Sequence, residues 1–242
     1  MKILILGDGL LGSEIYKQTG WDCMSRKTNP EFDFCDIDNY KGYLSSYDTI
    51  LNCVAHTKTY SDEREKHWET NYTAVMDLVD FCNKEYFNSY SNSIVKAKKL
   101  ITISTDYIYA NSFDRATEED IPVHEGNWYS YTKLLADAYV QARAKNYLMF
   151  RCSFKPRPWP YDNAIISQVG NFDYVDIIAK QMINMIEKNA TGVYNIGTED
   201  KTIYDLARQT VPDVKKSYEI LNATMPTNIT MSLDKFNKEM TT

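Results

Sequence analysis

The sequence predicts an α/β fold with a doubly wound parallel sheet, and three observations carry that prediction. Short apolar runs alternate along the chain with segments of helical period. A glycine-spaced turn, Gly7-Asp8-Gly9-Leu10-Leu11-Gly12, follows the first apolar run and opens the first helical segment. The other chemistry-bearing residues fall at the ends of later runs or at the starts of the helices after them. Strands that alternate with helices imply βαβ crossovers, which put helices on both faces of a parallel sheet.

The elements follow in order. KILIL at 2–6 reads as a buried parallel strand. Residues 10–18 read as a helix closed by Gly20, and 22–25 and 32–35 as short strands. TILNCVA at 49–55 is a longer one. Within 65–85, Trp68, Tyr72, Val75, Leu78, Val79 and Cys82 recur at helical spacing. LITIS at 100–104 is a strand, 129–145 a helix and 147–152 a strand. Then come a helix at 177–188, a strand at 192–196 and a helix at 203–210 that stops before Pro212. The one compositional break is the Pro-rich stretch FKPRPWPY at 154–161. Residues 1–153, completed by about 174–198, therefore read as a Rossmann dinucleotide-binding domain. Residues 154–173 and 199–242 read as a small, reduced C-terminal substrate lobe.

A chain of 242 residues, 43% hydrophobic and 25% charged, suits one large domain with a small appendage. A net charge of −6 speaks against a nucleic-acid surface. No signal peptide or bilayer-length apolar stretch is expected, so the reading is cytoplasmic, with no membrane partner. A homodimer is left open. Cys23, Cys35, Cys53, Cys82 and Cys152 read as reduced core thiols. His56, His67 and His124 lack metal-ligand spacing, so no metal is expected.

The glycine turn has a physical logic. Gly7 allows a tight turn, Gly9 lets backbone N–H groups approach a pyrophosphate, and Gly12 allows close packing of helix on strand. The N–H groups of the helix start, at Leu10 and Leu11, face the phosphates. At the end of the second strand an acid would bind ribose hydroxyls and repel a 2′-phosphate. Here the chain reads Met24-Ser25-Arg26-Lys27. Ser25 and Arg26 suit a 2′-phosphate, which favours NADP(H) with NAD(H) as the alternative. A solvated basic turn is the competing reading. Asp36 and Ile37 are candidates for the adenine, against a capping role for Asp36. Cys53, Val54 and Ala55 close a strand at the carboxyl edge, where ligands bind in such sheets.

Tyr129 and Lys133 lie one helical turn apart on one face. An ammonium beside a phenol favours the phenolate and lowers a pKa that is ordinarily about 10. That pair suits proton transfer to a carbonyl receiving a hydride, and Lys133 can also hold the nicotinamide ribose. Thr105 is the third candidate, with Ser104 as fallback, since a strand-end hydroxyl can polarise the same oxygen. A helix-cap role competes for it. Tyr131 reads as packing only.

GDGLLGSE at 7–14, DID at 36–38, LNCVAHT at 51–57, ISTDYIYAN at 103–111 and YSYTKLLAD at 129–137 together resemble the extended short-chain dehydrogenases. Within that family they look most like the dTDP-4-dehydrorhamnose reductase group of sugar-nucleotide reductases. LMFRCS, YVDIIAK and GVYNIG match more weakly. The resemblance implies a triad of Thr105, Tyr129 and Lys133, and NADP(H)-dependent reduction of a 4-keto group on a nucleoside-diphosphate sugar. It leaves two alternatives: an epimerase or dehydratase with bound NAD, or a non-catalytic NADP-binding regulatory subunit. The stretch after Arg151 is short for such a family, and Ser167-Gln168-Val169-Gly170 lacks the acid of the family's turn. Lys155, Arg157 and Trp159 could grip a diphosphate and stack on a base, or form a solvated loop. His56 and Asp106 complete the candidates for substrate contact.

Overall fold

The computed structural model describes residues 1–88, 93–110, 114–120, 122–123, 126–218 and 222–241. Six strands form the central sheet: β1 Ile3–Leu6, β2 Asp22–Met24, β3 Thr49–Asn52, β4 Lys99–Ile103, β5 Tyr147–Arg151 and β6 Gly192–Asn195. Their order is β6-β5-β4-β3-β1-β2, and every pair is parallel. The order reverses between β1 and β3, so a crevice opens beyond their carboxyl ends. This is the doubly wound, Rossmann-type sheet that the alternation predicts.

The helices are α1 Leu10–Thr19, α2 Lys41–Leu44, α3 Arg64–Trp68, α4 Ala74–Cys82, α5 Trp128–Arg143, α6 Val175–Glu187, α7 Ile203–Arg208 and α8 Asp234–Thr241. One apolar core packs α1 and α6 on the sheet through Ile5, Ile15, Ile178 and Met182. A second core packs α4 and α5 on the opposite face through Leu78, Val79, Ala136 and Val140. The long helix expected over 65–85 is interrupted: a π-helical turn, Glu69–Thr73, separates α3 from α4. A hairpin, Tyr86–Asn88 with Ser93–Val95, follows it.

The strand expected at 32–35 is absent. Phe32 and Phe34 are buried, but they pack on Tyr40, with ring centroids at 5.0 and 6.5 Å, and do not pair with β2. Alternating burial in four residues does not distinguish a strand from a segment that folds its rings back into the core.

The 154–173 region forms small sheets around Trp159, Phe172, Tyr174, Leu206 and Ile229. Val169–Gly170 pairs with Lys201–Thr202 and Asn228–Ile229. Phe154–Lys155 pairs with Asp173–Tyr174. Residues 199–242 do not all join this unit. Helix α8 packs Phe236 into the central core, and Lys235 donates to the Val193 carbonyl at 2.8 Å on edge strand β6. No helix among the described residues is long and apolar enough to cross a membrane.

Candidate active site

Two adjoining pockets line the carboxyl edge of the sheet, of about 480 and 330 Å³, and share Gly9, Cys53, Val54 and Ala55. Five of the six strand ends deliver residues to them: Gly7 after β1, Ser25 after β2, Cys53 after β3, Ser104 after β4 and Cys152 after β5.

The glycine turn takes the shape that its spacing requires. Gly7 has φ +92°, and its N–H donates to the Met24 carbonyl at 2.8 Å. A Cβ on Gly12 would lie 2.0 Å from the Gly7 carbonyl oxygen, so helix and turn touch through backbone. A Cβ on Gly9 would meet nothing within 4 Å. Gly9 caps α1 without a side-chain hydrogen bond, so the first-turn N–H groups of Leu10 and Leu11 open on the cleft. This cradle fits a pyrophosphate.

Strand β2 ends at Met24, and Asp22 is taken up by the Tyr47 hydroxyl at 2.9 Å. Ser25 and Arg26 line the outer pocket. The Ser25 hydroxyl oxygen already accepts the N–H groups of Lys27 and Thr28 at 3.2 and 3.3 Å, so it shapes the turn. Arg26 is exposed, with Asp33 3.8 Å away. Asp36 and Ile37 do not line either pocket. Asp36 caps a 3₁₀ turn by accepting the Asp38 N–H at 3.1 Å, and Ile37 packs on the core. The capping alternative holds for Asp36.

The inner pocket gathers Thr105, Tyr129 and Lys133 with Ser104, Tyr107 and Lys155. Thr105 and Lys133 are buried and Tyr129 half-buried. The expected coupling between Tyr129 and Lys133 is not seen. Lys133 donates to the Ile103 carbonyl, and burial pushes its amine down to about 8. Burial likewise pushes the Tyr129 phenol up, helped by the nearby Asp106 and Tyr107, with the Thr105 hydroxyl working the other way. Tyr129 therefore stays protonated, the form that a proton donor needs. Desolvation outweighs the cation because the cation is turned to a carbonyl.

Asp106 is fully buried beside Thr105, and burial pushes its carboxyl up to about 6 against the pull of Lys155. Of the residues proposed to grip a diphosphate, only Lys155 lines the cleft. Arg157 turns out to Asp176 at 2.9 Å and stacks on Tyr174 at 4.3 Å. Trp159 is a core residue whose indole N–H donates to the Asn163 carbonyl. His56 lies in the outer pocket with its Nε2 3.3 Å from Glu63. His124 lies outside the described residues. Cys53 and Cys152 line the cleft, Cys82 is buried, and Cys35 is exposed, against the expectation of five core thiols.

Sequence reasoning missed three groups. Tyr107 lines the cleft and joins Tyr60 at 3.1 Å and Gln168 at 3.2 Å. Asn71, in the π turn, accepts the His56 N–H at 2.7 Å and donates to the His56 carbonyl at 3.1 Å. It also reaches Thr132 on α5 at 3.4 Å, which ties the cleft wall to the Tyr129 helix. His67 is buried against Asn71, with its ring 6.4 Å from that of Tyr129. Asn71 and His67 had a signal: both fall on the buried stripe of the 65–85 helix at positions that call for apolar residues.

Known proteins share this fold. A dTDP-4-dehydrorhamnose reductase from Clostridium acetobutylicum superposes with a TM-score of 0.79 at 20% identity, covering 100% of this chain and 93% of its own. One from Bacillus anthracis, solved with NADP, gives 0.78 at 17% identity over 98% and 93%. The curated dTDP-D-glucose 4,6-dehydratase of Homo sapiens is 22% identical over 233 residues, 81% of this chain. The chain spans about 62% of the length of that relative. Residues 7–159, from the glycine turn to the start of the small sheets, match the NAD dependent epimerase/dehydratase family, and the chain belongs to that family.

Proposed function

We propose that this chain reduces the 4-keto group of a nucleoside-diphosphate sugar with NADP(H). The observation that carries this reading is a cleft of two adjoining pockets that share Gly9, Cys53, Val54 and Ala55. It joins the open start of α1 to Thr105, Tyr129 and Lys133. Gly7, Gly9, Leu10, Leu11 and Gly12 would hold the pyrophosphate, Arg26 the 2′-phosphate, and Cys53, Val54 and Ala55 would wall the channel between the two ends. When bound, the dinucleotide supplies hydride. Tyr129 donates the proton to the substrate oxygen, Thr105 hydrogen-bonds that oxygen, and Lys133 holds ribose hydroxyls. The boundary of the substrate lobe belongs to the same proposal: residues 154–173 with 199–233 cover the sugar, and Lys155 reaches it from the lobe's first strand.

The direct test is turnover of a panel of 4-keto nucleotide sugars with NADPH, followed by cofactor oxidation. A second reading is an epimerase or dehydratase. It is favoured by the dehydratase relative and by a buried acid, Asp106, next to Thr105. That enzyme would purify with NAD(H) retained and would interconvert sugars without added NADPH. Cofactor binding with no turnover in either assay points to a regulatory subunit.

A further inference from the structure

The Thr105 hydroxyl stands among three groups. Its oxygen accepts the Tyr107 N–H at 3.2 Å, lies 3.2 Å from Asp106 Oδ1, and neighbours the Tyr129 phenol. A hydroxyl has one hydrogen to give and two lone pairs. An ionised Asp106 can only accept, so it draws that single hydrogen to Oδ1 and leaves none for a ligand oxygen. A protonated Asp106 reverses the bond. The acid then donates to Thr105 Oγ1, Tyr107 N–H fills the other lone pair, and the hydroxyl hydrogen is free to point into the cleft.

We propose that Asp106 is a positioning residue: only in its neutral form does it let Thr105 donate to the substrate's carbonyl oxygen. The inference rests on the reductase reading above. Its structural support is the burial of Asp106. The side chain is 0% exposed, and Oδ2 has no hydrogen-bond partner among the described residues. An ionised carboxylate with an empty oxygen in such a place is costly, and a carboxylic acid less so.

The groups around Asp106 are few. Lys155, on the strand Phe154–Lys155, favours its ionised form. Tyr107 beside it, Tyr60 from the loop after β3, Tyr129 on α5 and Cys152 after β5 are neutral neighbours whose own ionisation it opposes. Burial outweighs Lys155 and holds the carboxyl at about 6. A raised carboxyl is neutral below that value, so the donating form of Thr105 gains population as pH falls through it.

Two measurements test the proposal. The first is the pH profile of kcat for wild type and Asp106→Asn on a keto sugar that wild type reduces. An asparagine amide can donate to Oγ1 at every pH, as the acid does. The wild-type kcat should fall above about pH 6, up to roughly tenfold per unit. Below about pH 7, clear of the range in which Lys133 loses its proton, the variant's profile should be flat. An equal fall in the variant, or its inactivity at every pH while folded by circular dichroism, overturns the proposal.

The second measurement needs no substrate. Protein carrying 13C at the aspartate carboxyls is titrated by NMR as wild type, Thr105→Val and Lys155→Met. The resonance missing from Asp106→Asn identifies Asp106; if that variant does not fold, the resonance moved by Lys155→Met does. A hydrogen bond given to the carboxylate favours ionisation, so Thr105→Val should raise the midpoint. A midpoint unmoved in Thr105→Val overturns the proposal. If no keto sugar is reduced but the midpoint moves, the reductase reading fails while the control of Thr105 by Asp106 stands.

Discussion

Arg151 and Asp137 meet through two hydrogen bonds, at 3.0 and 2.8 Å, with both side chains 1% exposed. The pair joins β5 to α5 one helical turn beyond Lys133, and the Arg151 guanidinium also donates to the Tyr109 hydroxyl at 2.6 Å. Removing one partner leaves a buried charge uncompensated. Asp137→Ala should therefore destabilise the fold by about 3–5 kcal/mol. Denaturant unfolding of the two proteins measures it, and a loss under about 1 kcal/mol would contradict the role given to the pair.

Tyr129→Phe removes one hydroxyl and keeps the ring. Because the phenol is held protonated, its loss should lower kcat by roughly 10²–10⁴-fold with cofactor affinity unchanged. Tyr131→Phe is the control. That ring packs on Trp68 and Trp128, about 200° around the helix, and its variant should keep wild-type kcat. Steady-state rates on one keto sugar separate the two.

If Arg26 holds the 2′-phosphate as proposed, cofactor choice should respond to Arg26 and to its neighbour Asp33. Arg26→Ala should weaken NADPH binding by roughly tenfold or more and leave NADH binding nearly unchanged. Asp33→Asn should act the other way, since it removes the carboxylate that competes for the guanidinium. Titrations of both cofactors at two salt concentrations check this, and the NADPH advantage should shrink at high salt.

Lys155 and Arg157 should part company. Lys155→Ala is expected to raise KM for the sugar nucleotide by roughly tenfold or more. Arg157→Ala should leave it unchanged, because Arg157 is engaged with Asp176 outside the cleft. Equal effects of the two changes would return Arg157 to the substrate.

Gly12→Ala places a methyl group 2.0 Å from the Gly7 carbonyl oxygen. Backbone on both sides must shift, so the variant should lose both stability and dinucleotide binding. Thermal unfolding with and without NADPH reports the two effects in one experiment.

What was legible in the sequence was what is local. The glycine turn and the Tyr129–Lys133 pair each occupy one turn or one helix, so spacing alone fixes where their backbones stand. The bond between Lys133 and Ile103 joins residues 30 positions apart, and no spacing rule foretells it. Lys155, Arg157 and Trp159 looked equivalent because they share one Pro-rich stretch. Their fates diverge through partners far along the chain: Asp176 for Arg157, and the packing of α7 for Trp159. The missing strand at 32–35 has the same origin, since Phe32 and Phe34 turn their rings onto Tyr40.

Helix α8 has a consequence for the exposed edge of the sheet. Strand β6 ends the sheet, and a bare strand edge is a template for another chain to add to. Here Lys235 occupies the Val193 carbonyl, and the Glu118 carboxylate accepts the Asn195 N–H at 2.7 Å. Two backbone groups of β6 are thereby taken by charged side chains and are closed to a foreign strand. At the other edge β2 has only three residues, too few to guide a partner. Cutting the chain before Asp234 removes the Lys235 bond and should increase self-association through β6, which light scattering of the two proteins measures.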